Sequence, residues 1–343
     1  MENIVFMIEK LIPDYISVLK RRYEVLKTVD IFQPVGRRNI STYVKITERV
    51  VRSDIEKLTK QGLVTVSKSG ISITEKGIEV LKSLDKILKK YNGILIVEKK
   101  IENILGVKKV HIVQGNFDEN NSVKNEIGKF AADVLMSFVK KNSIITITGG
   151  TTVATVVDGI NQYNCKKAEM ILPARGSVGK VIELQSDILA SKLADKLFAK
   201  YRLLNIPDNI NSKALCEIMN EPSIQKTISN INKSDILLLG LGEAFEMAKK
   251  RKVSEEIYNK LIEEKAVAEA FGYYFDKDGK VIYETNSVGL SFYDICNIPN
   301  IIAVACGKNK AESIIAICQN LYNMTIVIDE GAANQILKIK EDK

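Results

Sequence analysis

Ile147-Thr-Gly-Gly-Thr-Thr-Val-Ala-Thr-Val156 follows the apolar run Ser143-Ile-Ile-Thr146 and leads into a segment of helical character. Strand, glycine-rich turn and helix in that order are one half of a βαβ unit. Such a turn does more than reverse the chain. Its glycines let the backbone approach a ligand closely, its two threonine hydroxyls add polar groups, and the N–H groups at the helix start lack acceptors within the helix. The helix dipole favours an anion there.

Outward from this stretch, short β-rich runs alternate with helical segments from about residue 94 onward. Candidate strands are residues 107–113, 144–148, 168–173, 201–204, 235–239, 301–305 and 325–328. Several are apolar almost throughout, the pattern of a parallel sheet covered by helices on both faces. The expectation is a doubly wound α/β domain whose ligands sit where strands end and helices begin. Ala270-Phe-Gly-Tyr-Tyr-Phe-Asp-Lys-Asp-Gly-Lys-Val-Ile282 departs from that order and reads as a hairpin turning at Lys277-Asp-Gly279.

Two more junctions carry similar chemistry. Pro173-Ala-Arg-Gly-Ser-Val-Gly179 supplies Arg175, able to hold a phosphate through two parallel hydrogen bonds, and Cys306-Gly-Lys-Asn-Lys310 supplies Lys308 and Lys310. No Gly-x-x-x-x-Gly-Lys-Ser/Thr is present, and Gly240-Leu-Gly-Glu-Ala-Phe245 places a Phe where a dinucleotide site needs its third glycine. A phosphorylated sugar suits these loops better than a nucleotide. Glu269 is a candidate acceptor for its hydroxyls.

The N-terminal ninety residues differ in charge. They hold 18 Lys+Arg against 11 Asp+Glu, while the rest of the chain holds 32 against 31, so most of the net charge of +8 lies here. A basic unit beside a nearly neutral one is the footprint of a polyanion's partner. After a helix at roughly 14–29, Thr47-Glu-Arg-Val-Val-Arg-Ser-Asp-Ile-Glu-Lys-Leu58 places Val51, Ile55 and Leu58 along one stripe and Arg49, Arg52, Ser53 and Glu56 opposite. Thr47 is suited to cap this helix. Residues 63–67 and 71–74 then alternate around Lys68-Ser-Gly70 as a small wing. The whole reads as a winged helix-turn-helix in which Arg49 and Ser53 face base edges of double-stranded DNA, while Arg52, Arg37 and Arg38 face phosphates.

Leu81, Leu84, Leu88, Tyr91 and Leu95 alternate spacings of three and four, interrupted at Asn92-Gly93. Two readings stay open: a helix packed on its own domain, or a connecting helix that dimerises. The five cysteines form no Cys-x-x-Cys pair and read as small buried side chains; no metal site is expected. The only histidine, His111, lies in a strand-like run, which argues against the proton shuttle an aldose–ketose isomerase needs. The start of the chain lacks a cationic, apolar leader, and no run of eighteen apolar residues occurs, so a cytoplasmic location is expected.

Thr148-Gly-Gly-Thr-Thr, Leu-Pro-Ala-Arg-Gly-Ser177, Gly240-Leu-Gly-Glu-Ala, Glu269-Ala-Phe-Gly-Tyr-Tyr-Phe, Asn286-Ser-Val-Gly, the run from Ile301 to Ile314 and Val327-Ile-Asp-Glu-Gly-Ala-Ala333 occur in an order that, behind the basic N-terminal segment, resembles the SorC type of sugar-responsive repressors. The likeness is to the branch governing glycolytic genes in low-GC bacteria. It implies a winged-helix domain (residues 1–90, with a connecting helix) joined to a sugar-phosphate-binding and oligomerisation domain (residues 91–343) similar to phosphosugar isomerases and deaminases. It also implies a repressor rather than an enzyme, a dimer or tetramer, with no catalytic cofactor, that leaves its operator when fructose 1,6-bisphosphate binds. Phosphate contacts are implied for Gly149, Gly150, Thr151, Thr152, Arg175 and Lys310, and sugar contacts for Gln185 and Glu269. The second phosphate is implied to meet Lys250 or Arg251, where the related pattern has two arginines. The competing reading is an isomerase- or deaminase-like enzyme with an appended winged helix.

Overall fold

The computed structural model describes residues 10–160, 167–176, 181–206 and 211–341. The chain divides into two compact units between Val97 and Glu98.

The first unit orders α1 (Pro13–Phe32), α2 (Arg37–Val44), α3 (Glu48–Lys60), β1 (Val64–Ser67), β2 (Gly70–Ile73) and α4 (Glu75–Tyr91). Its core joins Val25, Leu26 and Val29 of α1 with Ile40 of α2 and with Val51, Ile55 and Leu58 of α3. The apolar stripe on α3 therefore faces inward, as its spacing requires. Thr47 caps α3 by accepting from the Val50 N–H at 3.4 Å. β1 and β2 pair antiparallel with Val64 opposite Ile73 and Ser67 opposite Gly70. Thr74 caps α4 through the Gly77 N–H at 3.0 Å. In the leucine seam, Leu81 and Leu88 belong to this core, Leu84 packs on it, and Lys20 lies over the Tyr91 ring, while Leu95 is exposed.

A helix missed in the sequence, α5 (Ile94–Leu105), carries the division between the units. Within the second unit its carboxylates have a specific use. Glu102 and Glu98 accept from the N–H groups of Val110 and Ile112 in β3 (Lys109–Val113), an edge strand whose outer donors would otherwise be unpaired. Burial pushes the Glu102 carboxyl up, but bonds from Lys109 and Lys99 outweigh it and hold the pKa at about 2.

The main sheet contains β3, β4 (Ile144–Ile147), β5 (Met170–Pro173), β6 (Lys200–Tyr201), β7 (Ile236–Gly240), β12 (Asn300–Val304) and β13 (Met324–Asp329). Their spatial order is β3-β13-β12-β7-β4-β5-β6, and every neighbouring pair is parallel. All seven correspond to the strands expected, with ends shifted by a few residues. Leu238 packs with α6 (Val123–Phe138), α7 (Thr151–Gly159) and α8 (Ser186–Leu197), while Leu237 and Leu239, which alternation turns to the opposite face, are equally buried. Both faces are covered, which is why the strands are apolar without alternation. After β4 the chain adds strands outward to β6, then returns to β7 and builds toward β13, so the order reverses between β4 and β7. Ligands of open α/β sheets sit at such a reversal.

A separate four-stranded antiparallel sheet contains the expected hairpin, turning at Lys277-Asp-Gly279, as two of its strands. It comprises β8 (Gly242–Glu243), β9 (Ala268–Ala270), β10 (Tyr273–Phe275) and β11 (Val281–Glu284), in the order β11-β10-β9-β8. What reads as one run, Ala270-Phe-Gly-Tyr-Tyr-Phe275, is two strands reversing at Phe271 and Gly272, whose φ values are 43° and 90°. Positive φ at both central positions is the tight turn that matches strand twist. Apolarity on both sides hides it from a pattern search.

The expectation for the cysteines holds for Cys306 and Cys318, which are buried, but Cys216 and Cys296 are exposed, and Cys165 lies outside the described residues. Both exposed cysteines belong to short helices, Ser212–Met219 and Phe292–Cys296, that leave one side to solvent.

Candidate functional site

At the strand-order reversal lies a cavity of about 520 Å³, entered from the C-terminal ends of β4, β5, β7 and β12. Thr148, Gly149, Gly150, Thr151 and Thr152 line one side. A Cβ on Gly149 would stand 2.7 Å from the Leu184 carbonyl oxygen, so only glycine lets this loop pass. Gly150 has φ 117° and gives its N–H to the Leu184 carbonyl at 2.9 Å. That leaves the first-turn N–H groups of Thr151, Thr152 and Val153, with no acceptor inside α7, as donors at this wall.

Arg175 is only 6% exposed, and its terminal nitrogens donate to the carbonyls of Phe271 (2.6 Å) and Thr285 (2.8 Å). Here the fork braces the turn of the antiparallel sheet, and Nε is buried with no acceptor. Burial lowers the Arg175 pKa. Glu269, 3% exposed, accepts from the Arg251 guanidinium at 2.8 Å and from the Gly272 N–H at 2.7 Å through Oε1. Both side chains face the cavity.

Further lining comes from α11 (Ala244–Arg251), which follows the short helices α9 (Ser212–Met219) and α10 (Pro222–Ile231), and from the turn Lys308–Lys310. Lys310 Nζ lies 2.9 Å from Glu246 Oε2 and 3.2 Å from Glu243 Oε1, while Lys250 Nζ lies 2.6 Å from Glu246 Oε1. Bonds from Lys250 and Lys310 hold the Glu246 carboxyl at about 2. The turn is fixed from behind by Asp329, fully buried, which accepts from the N–H groups of Gly307, Phe117 and Ala332.

Of the residues expected to meet a sugar phosphate, nine face this cavity: Gly149, Gly150, Thr151, Thr152, Arg175, Lys250, Arg251, Glu269 and Lys310. Gln185 is not among its lining; it starts α8 between Leu184 and Ser186, which are. Lys308 is not among the lining either, and Ser177 and Gly179 lie outside the described residues. Lys124, Asn309 and Glu246 also line the cavity and were missed. The spacing of Glu246 and Lys250, one helical turn apart, was a readable signal; Lys124 reaches the site only through sheet topology. His111 does not line it and stacks edge-on with Phe130.

In the first unit, Arg49, Arg52 and Ser53 stand exposed on α3, and Arg37 and Arg38 on α2. Asp54 is fully buried and held by Arg21 (2.7 Å) and Arg22 (3.0 Å) of α1. It lies between Val51 and Leu58 on the inward stripe.

Residues 18–88 match the family model of the CggR N-terminal DNA binding domain, and residues 89–338 match that of a sugar-binding domain. The chain is 36% identical to the central glycolytic genes regulator of Bacillus subtilis (strain 168), over 96% of its own length and 97% of the relative's. It is 33% identical to the protein of the same name from Priestia megaterium, over 98% and 99%. The chain belongs to the family of central glycolytic genes regulators. A SorC family transcriptional regulator from Enterococcus faecalis superposes with a TM-score of 0.66 at 31% identity, covering 70% of this chain and 99% of that one. A central glycolytic genes regulator is thus a DNA-binding unit and a sugar-binding unit in one chain, and the cavity lies in the sugar-binding unit. Among the described residues no helix is long and apolar enough to cross a membrane.

Proposed function

We propose that the protein is a cytoplasmic repressor of a glycolytic operon, a dimer or tetramer released from double-stranded operator DNA by a phosphorylated sugar, foremost fructose 1,6-bisphosphate. The observation that carries this reading is the make-up of one cavity: backbone N–H groups and threonine hydroxyls from the loop before α7, lysines from α11 and the turn Lys308–Lys310, and the buried carboxylate of Glu269. A sugar with two phosphate esters presents the complementary groups, with hydroxyls for Glu269. Lys250 takes the second phosphate in this reading, because Arg251 is already committed to Glu269. Gln185, at the start of α8 between the lining residues Leu184 and Ser186, reaches the sugar hydroxyls in this reading only by turning toward the cavity.

In the first unit α2 and α3 act as a helix-turn-helix and the β1–β2 hairpin as its wing. Arg49 and Ser53 read base edges, Arg37, Arg38 and Arg52 neutralise phosphates, and Thr47 fixes where the helix begins. Release requires a ligand that favours the DNA-free arrangement; a hundredfold preference supplies about 2.7 kcal/mol.

The test is a duplex-binding titration with the full chain, followed by a panel of glycolytic phosphosugars read by release and by thermal shift. A ligand bound only to the folded state raises its melting temperature. Release by a bisphosphate with no turnover supports the reading; a panel that neither stabilises the protein nor frees the duplex, or steady isomerisation of a panel member, sinks it.

A further inference from the structure

We propose that Glu246 is an internal anion occupying the lysine side of the cavity, so that this one carboxylate sets how much a second phosphate adds to binding. The inference rests on the phosphosugar reading above and concerns the same cavity.

The geometry is that of a bound anion. One oxygen of Glu246 takes the Lys250 ammonium at 2.6 Å and the other takes that of Lys310 at 2.9 Å, bridging α11 and the turn Lys308–Lys310. Glu243 adds a weaker hold on Lys310 at 3.2 Å and accepts from Asn309 Nδ2 at 2.6 Å. Of the other cations in the lining, Arg251 has Glu269, Arg175 has two carbonyls, and Lys124 takes no part in this bridge. Lys250 and Lys310 are therefore the cations whose partner a ligand can replace, and Glu246, with 43% of its side chain exposed, has room to swing away. Its carboxyl, held at about 2, is ionised throughout the neutral range, so the competition never lapses.

A phosphate ester brings about −1.5 to −2 charges and three acceptor oxygens, against one charge and two oxygens for the carboxylate. It wins the exchange, but only by the difference. The α7 side has no such competitor, because its donors are first-turn N–H groups. A monophosphate seats there without disturbing Glu246, whereas a bisphosphate must displace it.

The experiment measures dissociation constants of fructose 6-phosphate and fructose 1,6-bisphosphate by calorimetry, for the wild-type full chain, Glu246→Gln and Glu246→Ala. The expected result is that both variants bind the bisphosphate about tenfold more tightly, equivalent to about 1.4 kcal/mol. The monophosphate should move less than about threefold, so the preference for two phosphates widens. Two variants are needed because a glutamine amide could still engage the lysines, and unliganded melting temperatures check that each folds. A preference that is unchanged or narrowed in both variants shows that Glu246 only positions the lysines and overturns the inference. Wild-type protein that binds neither sugar overturns the phosphosugar reading itself, and this inference with it.

Discussion

Arg49 and Arg52 stand in solvent on α3, whereas Arg175 and Arg251 are buried beside the cavity, each already bonded to a carbonyl or a carboxylate. The contrast follows from desolvation. A charge in water needs no partner, and its contacts are screened by salt; a charge removed from water is tolerated only when paired. The DNA-binding unit can therefore be tuned by adding or removing exposed arginines. The sugar-binding unit must change cations and carboxylates together.

Salt separates the two regimes most sharply. If the first unit neutralises about six phosphates, duplex affinity falls roughly a thousandfold between about 50 and 200 mM salt. Phosphosugar affinity should fall less than about tenfold over that range, since a small ligand releases few counterions. Anisotropy with a labelled duplex and calorimetry with the sugar measure both, and parallel slopes would break the comparison. The next effect is on stability. Glu269→Gln removes the negative charge that the buried Arg251 guanidinium meets at 2.8 Å and should cost about 3 kcal/mol in denaturant unfolding. Arg52→Gln on the exposed face should change stability by less than about 0.5 kcal/mol. Equal losses would mean that the buried pair adds nothing special.

The same contrast explains what the sequence revealed. The seven strands were legible because a sheet covered on both faces demands long apolar runs, and the α3 stripe because its spacing matches a helix. The cavity-lining glycines were legible because strand, turn and helix adjoin in the chain. Three things were not. Arg175 reads as a free guanidinium, since its two carbonyl partners lie near residues 271 and 285, far along the sequence. α5 was lost because its edge-capping glutamates look like ordinary surface charge. Lys124 was missed because the sheet order, which brings β3 and its following helix around to the site, is not written in any local pattern.

A reciprocal pair of substitutions sharpens the division further. Arg49→Ala should weaken operator binding by about tenfold to a hundredfold, the range for one side chain reading a base edge, and leave phosphosugar affinity unchanged. Loss of both would mark Arg49 as a folding residue. Thr152→Val keeps shape but removes a hydroxyl beside the first-turn donors of α7, and should lower phosphosugar affinity about tenfold with duplex binding intact. An unmoved phosphosugar affinity would place the phosphate elsewhere.

Asp54 is the exception that tests the rule, because it is a buried carboxylate inside the unit of exposed charges. Burial pushes its carboxyl up, but bonds from Arg21 and Arg22 outweigh this and hold it below the usual range. The folded pKa lies below the unfolded value of 3.8, so the stabilisation is fully present above that pH and fades as pH falls through the lowered folded value. Arg21 and Arg22 keep about a third of their side chains in water and can be solvated once the charge is lost, so Asp54→Asn costs less than the change at Glu269, about 1 kcal/mol at neutral pH. Urea unfolding of both proteins should show that gap constant from pH 7 down to about 4 and closing below it. A gap that persists in acid would mean that Asp54 acts through shape and not charge, and the buried pair would then belong with the apolar stripe on which it sits.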